Sequence, residues 1–243
     1  MDKAIKDALA PKGVLRAGIN LSNFLLVSGK LLDGSPEGIS PDLAKRIAKE
    51  IDVPCEFVPF DRPGELADAV DLDLYDIGNI AFETERAQTI NFSIPYVLID
   101  ANFLVRKNAA FTTNSEVDKV GVRIAVSERT AYDLWLKNHF KNAEVIRSKS
   151  IQGSHEKFLC GEADVLASLK PKLLEEFSSS NEYRIIQTPF TAVKQSVGVK
   201  KGKPEVVRFL NDLIGKLIVN GFIEASLKKH RVDQMLSIPG KLK

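Results

Sequence analysis

Strand-like and helix-like segments alternate along the first third of the chain, and this alternation limits the possible folds more than any other feature. Residues 14–19 (VLRAGI) predict a first strand, and residues 55–60 (CEFVPF) alternate as a second. Between them, residues 40–42 (SPD) predict a helix start, with serine as the N-cap and proline at the first helical position. A short helix over residues 66–70 leads to a third strand that begins at Tyr75. This βαβ order predicts a parallel sheet with helices packed on it.

The same order returns in the second half of the chain, and the last 40 or so residues are helical in pattern. Strands are predicted over residues 120–126 and 163–169, with a helix through Tyr132 and Trp135 between them. We therefore predict two α/β lobes that the chain crosses twice, with a ligand cleft between them. The predicted boundaries are residues 1–104 plus 195–243 for lobe 1, 105–194 for lobe 2, and 101–105 and 187–195 for the crossings.

Composition excludes several classes of protein. The 243 residues are 44% hydrophobic and 27% charged, as in ordinary soluble globular proteins. The net charge of +2 argues against nucleic acid as the main partner, because a phosphate-binding surface makes a domain basic. No run approaches the roughly 18 apolar residues of a membrane span. Residues 1–13 lack the apolar core of a secretory signal, so either the protein stays in the cytoplasm or a signal was removed.

The cysteines and histidines show no metal-ligand spacing. Cys55 and Cys160 are far apart and form no CxxC pair, so we expect two buried thiols. His139, His155 and His230 are isolated from one another. The sequence therefore predicts neither a metal site nor a cofactor.

Residues 76–106 (DIGNIAFETERAQTINFSIPYVLIDANFLVR) place charge inside an otherwise apolar passage. A buried strand is predicted at the start of the passage and a long strand at its end. Between them lies a predicted helix start, since Thr84 can cap and Glu85 suits a first turn. Arg86 is the first candidate for a binding residue. The alternative is a surface ion pair with Glu83 or Glu85.

Several short segments, in this order and spacing, carry a family resemblance over nearly the whole chain. They are residues 14–19 (VLRAGI), 38–44 (GISPDLA), 75–78 (YDIG), 85–87 (ERA) with 90–96 (INFSIPY), 120–122 (VGV) with 125–126 (AV), and 161–164 (GEAD). With them the chain resembles the family-3 extracellular solute-binding proteins, the ligand-capturing subunits of ABC importers for polar amino acids. The resemblance implies the α/β type II periplasmic-binding-protein fold, in which each of two lobes is a βαβ sheet with flanking helices around a ligand cleft.

The resemblance also implies a way of holding the ligand. Arg86 would clamp a ligand carboxylate with a bidentate, charge-assisted pair. Ser127 and Thr130 would hold the same carboxylate at the N-terminus of a second-lobe helix. A plain N-cap is an equally good interpretation of Thr130.

Further first-lobe contacts follow from the same resemblance. Phe24, beside Asn23 in the loop after the first strand, matches the place where an aromatic ring covers the ligand. Asn79, Ile80 and Ala81 match the strand end that supplies hydrogen bonds to the ligand. For Phe24, a role in the core remains open.

One departure from the family pattern bears on the ligand. Family members usually carry an acidic residue just past the 163–169 strand, where it receives the ligand ammonium, but this chain has Leu169 and Lys170. Because Lys170 would repel an ammonium, an α-amino acid held in the usual way is in doubt. Asp61, at the start of a loop, could instead receive an amine, and the sequence leaves both possibilities open.

The function that these observations favour is capture of a small carboxylate-bearing metabolite, an amino acid or an organic acid, by hinge closure for ABC-type uptake. The expected partners are that ligand and the importer's membrane subunits. We expect a monomer without catalytic residues, located in the periplasm on family grounds, with the cytoplasm as the alternative.

Two alternatives use the same scaffold. One is an enzyme that resembles the superfamily's dehydratases for cyclic carboxylates, with Glu83 or Glu128 as the proton-transferring acid. Both glutamates lie in polar runs and are expected to be solvated, so we favour binding over catalysis. The other alternative is a sensory ligand-binding module.

Overall fold

The computed structural model describes residues 3–240, which contain nine α-helices and twelve β-strands. The helices are α1 Lys3–Leu9, α2 Ile39–Glu50, α3 Pro63–Asp68, α4 Asn114–Val117, α5 Ala131–His139, α6 Ile151–Leu159, α7 Lys170–Phe177, α8 Pro204–Val219 and α9 Phe222–Lys229. The strands are β1 Leu15–Asn20, β2 Gly29–Lys30, β3 Pro36–Glu37, β4 Cys55–Phe60, β5 Ile77–Ala81, β6 Ile90–Phe92, β7 Val97–Arg106, β8 Arg123–Ser127, β9 Glu144–Ser148, β10 Val165–Leu169, β11 Tyr183–Ile185 and β12 Thr191–Lys200. The described residues form two compact units, residues 3–98 with 194–240 (unit 1) and residues 99–193 (unit 2).

Unit 1 contains a sheet in the strand order β4–β1–β5–β12, with β6 paired to β12. Strand β1 runs parallel to β4 and β5, whereas β12 is antiparallel to β5. The carboxyl ends of the three parallel strands, at Asn20, Phe60 and Ala81, therefore lie on one edge of the sheet. Helix α2 buries Leu43 and Ile47 completely, as its apolar face predicts.

Unit 2 repeats this plan with the order β7–β10–β8–β9 and with β11 paired to β7. Strand β8 is parallel to β9 and β10, and β7 is antiparallel to β10. Ser127, Ser148 and Leu169 end the parallel strands at one edge. The core beneath them contains Phe158 and Leu166, both fully buried.

The start of α2 differs from the prediction. The helix begins at Ile39, so Ser40 lies inside its first turn and is not the N-cap. The preceding residue is Gly38, with φ of 150°, and a Cβ atom there would lie 2.2 Å from the carbonyl oxygen of Leu26. Ser40 Oγ instead contacts the Tyr96 hydroxyl at 3.0 Å, so this serine serves tertiary packing rather than capping.

The cysteines also differ from the prediction. Both thiols are free, but Cys55 is half-buried and Cys160 is exposed. The expectation of two buried thiols is wrong because Cys160 lies at the end of α6, where the chain turns at the surface.

Candidate functional site

The three parallel strands of unit 1 bring most of its predicted ligand residues to one edge of the sheet. Asn23 and Phe24 follow β1, Asp61 follows β4, and Ala81 ends β5 just before Arg86. In α/β sheets, ligands bind outside the carboxyl ends of the strands. This edge is the candidate ligand surface of unit 1.

Arg86 is a buried charge at this edge. It is 6% exposed and begins a short 3-10 turn, Arg86–Gln88. Its Nη1 donates to the carbonyl oxygen of Ala81 at 3.0 Å, which ties the guanidinium to the end of β5. A surface position for Arg86, which the alternative interpretation requires, does not fit this burial.

Glu83 lies between Ala81 and Arg86 and is half-buried. Burial raises the pKa of its carboxyl group to about 7, although the positive charges of Arg86 and Lys194 oppose the rise. Within residues 3–240, no hydrogen bond or ion pair engages this carboxyl group. The expectation that Glu83 is solvated is therefore wrong. Lys194 is distant in sequence, but it belongs to β12, which pairs with β5 beside the segment that contains Glu83.

The other predicted residues of unit 1 have mixed surroundings. Asn79 is buried, and its Nδ2 donates to the carbonyl oxygen of Ser40 at 2.8 Å, which attaches β5 to α2. Asn23 Oδ1 accepts from the backbone N–H of Leu25 at 3.3 Å within its own turn. Asp61 is exposed and Phe24 is half-buried. Asn79 thus has a structural contact beside any ligand role.

Unit 2 presents Ser127 and Thr130 at the corresponding edge of its own sheet. Ser127 ends β8, and Thr130 is the N-cap of α5. Thr130 Oγ1 donates to the carbonyl oxygen of Ser127 at 2.8 Å and accepts from the backbone N–H of Asp133 at 3.3 Å. The capping interpretation of Thr130 therefore holds, and its ligand role stays a prediction.

Asp133 organises this loop, and the sequence reasoning missed it. Its buried carboxylate accepts from the backbone N–H of Arg129 at 2.7 Å and from Arg147 Nε at 2.8 Å. Arg129 has φ of 59°, a left-handed conformation that is uncommon for a residue other than glycine. The T-x-x-D spacing of Thr130 and Asp133 resembles a capping box and is the sequence signal that could have identified the aspartate.

Lys170 is the first residue of α7 and follows β10 directly. Because β10 and β8 are parallel neighbours, α5 and α7 both begin at the same edge of unit 2. Helix N-termini carry partial positive charge and favour anions. With the half-buried Lys170 beside them, this edge suits an anionic group better than an ammonium.

No cluster of three or more His, Cys, Asp or Glu side chains suited to a metal ion occurs in the part of the chain that the structure describes. The geometry at both edges offers hydrogen-bond donors and single charges instead, which is the chemistry of organic ligand binding.

Comparison with known proteins gives relatives that span nearly the whole chain. The chain is 22% identical over 231 residues to the L-cystine-binding protein TcyJ of Escherichia coli (strain K12), covering 94% of this chain and 86% of that protein. The structure of the ancestral amino acid-binding protein AncCDT-1, a precursor of cyclohexadienyl dehydratase, matches with a TM-score of 0.72 at 23% identity, covering 92% and 97% of the two chains. The amino acid ABC transporter substrate-binding protein AbpA of Streptococcus pneumoniae Canada MDR_19A, bound to L-arginine, matches with a TM-score of 0.73 at 19% identity, covering 94% and 99%.

These structural likenesses confirm the predicted fold class, the two-lobed α/β fold of periplasmic amino acid-binding proteins. The predicted family is confirmed by a family model that matches residues 29–232: the chain belongs to the bacterial extracellular solute-binding proteins, family 3.

Proposed function

We propose that this solute-binding protein captures a small amino acid, with Arg86 holding its carboxylate. The observation that carries the proposal is a buried arginine at the carboxyl edge of the unit 1 sheet. Arginine pairs with carboxylates through two parallel hydrogen bonds, and such a pair is stronger where water is excluded. The bond to Ala81 holds the guanidinium at that edge before the ligand arrives.

Glu83 is the proposed acceptor for the ligand amine. It lies three residues before Arg86 on the same edge, and no described side chain pairs with its carboxyl group. A ligand ammonium would add to the positive charges of Arg86 and Lys194 and would lower the pKa of this carboxyl from about 7. Lys170 disfavours an amine at the unit 2 edge, so the amine is assigned to unit 1. Asp61 is the weaker candidate because it is exposed.

Ser127 and Thr130 are the proposed unit 2 contacts for the carboxylate. Support comes from the start of α5, where the cap and the buried Asp133 fix the loop. Asn23, Phe24, Asn79 and Ala81 remain proposed contacts of unit 1.

We further infer delivery of the ligand to the membrane subunits of an ABC importer, as a monomer outside the cytoplasmic membrane. The family is extracellular, and TcyJ and AbpA are named as an L-cystine-binding and an ABC-transporter substrate-binding protein. Across residues 3–240, no helix combines the length and apolarity that a membrane crossing requires.

A thermal-shift assay tests the proposal. Wild type, Arg86→Gln and the control Arg106→Gln are each heated with L-cystine, L-arginine or an amine-free dicarboxylate. Arg106 is a suitable control because its guanidinium also holds backbone oxygens, those of Phe158 and Ala163, and because it belongs to unit 2 and is not a proposed ligand contact. A ligand at 100 times its Kd stabilises the folded state by about 2.7 kcal/mol. We expect an amino acid to stabilise wild type and Arg106→Gln but not Arg86→Gln, and equal shifts in all three proteins would refute the role of Arg86.

An acid–base enzyme is the second candidate, and the raised pKa of Glu83 favours it. A carboxyl group that titrates near pH 7 suits proton transfer at neutral pH. AncCDT-1 is described as a precursor of a cyclohexadienyl dehydratase, so the scaffold is compatible with that chemistry. To test this candidate, the protein is incubated with a cyclic carboxylate, and the signals of that compound are followed by NMR. Turnover that Glu83→Gln abolishes would establish the enzyme. An unchanged spectrum would exclude enzymatic activity on that substrate.

A further inference from the structure

A groove of about 820 Å³ opens on the surface of unit 1, between α2, the end of α8 and α9. Four cationic side chains and a single carboxylate line it, together with apolar side chains. The cations are Lys45, Arg46 and Lys49 of α2 and Lys229 of α9, and the carboxylate is that of Asp42. The groove therefore has a formal charge of +3, whereas the whole chain has a net charge of +2.

Two of these cations, Lys45 and Lys49, have no ionic partner among residues 3–240. Both are exposed, and they lie four residues apart on α2. Neither ammonium group makes a hydrogen bond or an ion pair with a described residue, and Lys45 Nζ lies 5.4 Å from the centre of the Phe57 ring. Like charges at this helical spacing repel each other, so an anion between the two lysines would relieve the repulsion.

The carboxylate of the groove does not balance these two lysines, because α9 already engages it. Asp42 Oδ2 lies 3.2 Å from Lys229 Nζ and accepts from Ser226 Oγ at 2.8 Å. The fourth cation is also paired within the protein, since Arg46 Nη2 lies 2.8 Å from Glu50 Oε2. The positive charge that remains available to a partner is therefore concentrated on the two unpaired lysines.

Apolar side chains of α8 and α9 complete the lining, and they indicate what kind of anion fits. Leu217, Phe222 and Ala225 line the groove; Phe222 is half-buried and Ala225 is exposed, so a partner can contact both. A free inorganic anion would leave this apolar surface uncovered, and the flat surface of a membrane would not enter a groove. A peptide segment that carries carboxylates and an apolar side chain matches both the charge and the apolar lining.

We propose that this groove docks an acidic segment of a partner protein. Carboxylates of the segment pair with Lys45 and Lys49, and an apolar side chain of the segment covers Phe222 and Ala225. The assignment of the partner as a membrane subunit of the importer rests on the proposed function. None of the proposed ligand contacts lines the groove, so docking and ligand binding use different residues.

Fluorescence anisotropy of a labelled peptide tests the groove at low salt concentration. The probe is a peptide of repeated Glu-Leu-Glu-Gly, and the same peptide with glutamine in place of glutamate is its neutral control. The double variant Lys45→Gln/Lys49→Gln is compared with Lys119→Gln/Lys141→Gln, which removes the same charge from exposed lysines of unit 2. We expect wild type and the unit 2 variant to bind the acidic peptide saturably and the groove variant to bind about tenfold more weakly, because two exposed ion pairs are lost.

Ala225→Glu provides a second test, because it places a carboxylate at an exposed helical position inside the groove. This variant should keep the circular dichroism spectrum of wild type and lose the acidic peptide.

Three results would overturn the proposal: no binding of the acidic peptide to wild type, equal binding of the neutral peptide, or equal affinity in the groove variants. Sedimentation of wild type with phosphatidylglycerol vesicles, without peptide binding, would assign the groove to a lipid surface instead. Thermal shifts with amino acids should be the same in wild type and the groove variants, so failure of the docking proposal is distinguishable from failure of the proposed function.

Discussion

Both units carry the same arginine–aspartate pair at the amino edge of their sheets. In unit 1, Arg16 donates to Asp76 from its backbone N–H at 2.9 Å, from Nε at 3.1 Å and from Nη2 at 2.6 Å. In unit 2, Arg123 donates to Asp164 from the same three groups at 3.0, 3.1 and 2.8 Å. The burial differs: the side chains are 11% and 3% exposed in unit 1 but 39% and 35% exposed in unit 2.

The carboxyl edges of the two units differ in chemistry rather than in degree. Unit 1 places the buried Arg86 and the desolvated Glu83 there, whereas unit 2 places a helix cap held by Asp133. The repeated pair joins neighbouring strands in both units, whereas the dissimilar edges carry the proposed ligand contacts. In the proposed function, ligand recognition is therefore at the carboxyl edge of each unit and the repeated ion pair is at the amino edge.

Asp76→Asn is expected to have the largest effect on stability. Removing one partner of a buried ion pair leaves the other charge poorly compensated, which costs about 3 kcal/mol. Asp73, which also accepts from Arg16, limits the loss. Urea unfolding followed by circular dichroism measures it, and a loss no larger than that of Asp164→Asn would contradict the importance of burial.

Glu83→Gln is expected to stabilise the protein at high pH. The folded-state pKa of about 7 lies above the ordinary value of 4.5, so the folded state binds its proton more tightly. Stability therefore falls as the pH rises from 4.5 to 7, and glutamine removes this loss. At pH 8 the variant should be more stable by a gain of the order of 2 kcal/mol, with no difference at pH 4. Parallel pH-dependent unfolding curves for the two proteins would show that Glu83 is solvated.

Thr130→Ala is expected to cost about 1 kcal/mol, the usual effect of losing a helix N-cap. The lost bonds are those to Ser127 and Asp133. Thermal unfolding measures the loss. Thr89→Ala is a control, because its hydroxyl makes a long 3.4 Å bond to Arg86 and caps no α-helix.

Asp164→Asn should have the smallest effect of the four. The Arg123–Asp164 pair has the geometry of the Arg16–Asp76 pair, but water screens its exposed charges. Raising the salt concentration should reduce the difference between Asp164→Asn and wild type and leave that of Asp76→Asn largely unchanged. A salt response of equal size in both variants would remove the distinction between the two pairs.

The sequence predicted the fold because its local signals agree with one another. Strand patterns, the apolar face of α2 and the βαβ order all match the arrangement of strands and helices within each unit. The N-cap of α2 was predicted at the wrong residue because the Ser40 hydroxyl contacts the hydroxyl of Tyr96, which is distant in sequence. Local capping rules cannot anticipate such a contact.

The candidate site was less accessible from the sequence. Arg86 was identified by its place in an apolar passage. The burial of Glu83, in contrast, depends on β12, which follows it by about a hundred residues. Burial by such a distant segment has no local signal in the sequence. The contacts of His155 likewise join α6 to α7 and β10, so an isolated histidine in the sequence gave no indication of them.

An NMR titration of the wild-type protein with L-arginine and with L-cystine tests the central claim, capture of an amino acid at the carboxyl edge of unit 1, most directly. If the claim is right, at least one of them shifts the backbone amides of residues 81–87 and the side-chain signals of Arg86, and Arg86→Gln abolishes the shifts. Saturable binding that leaves residues 81–87 unchanged, or that survives in Arg86→Gln, would contradict it.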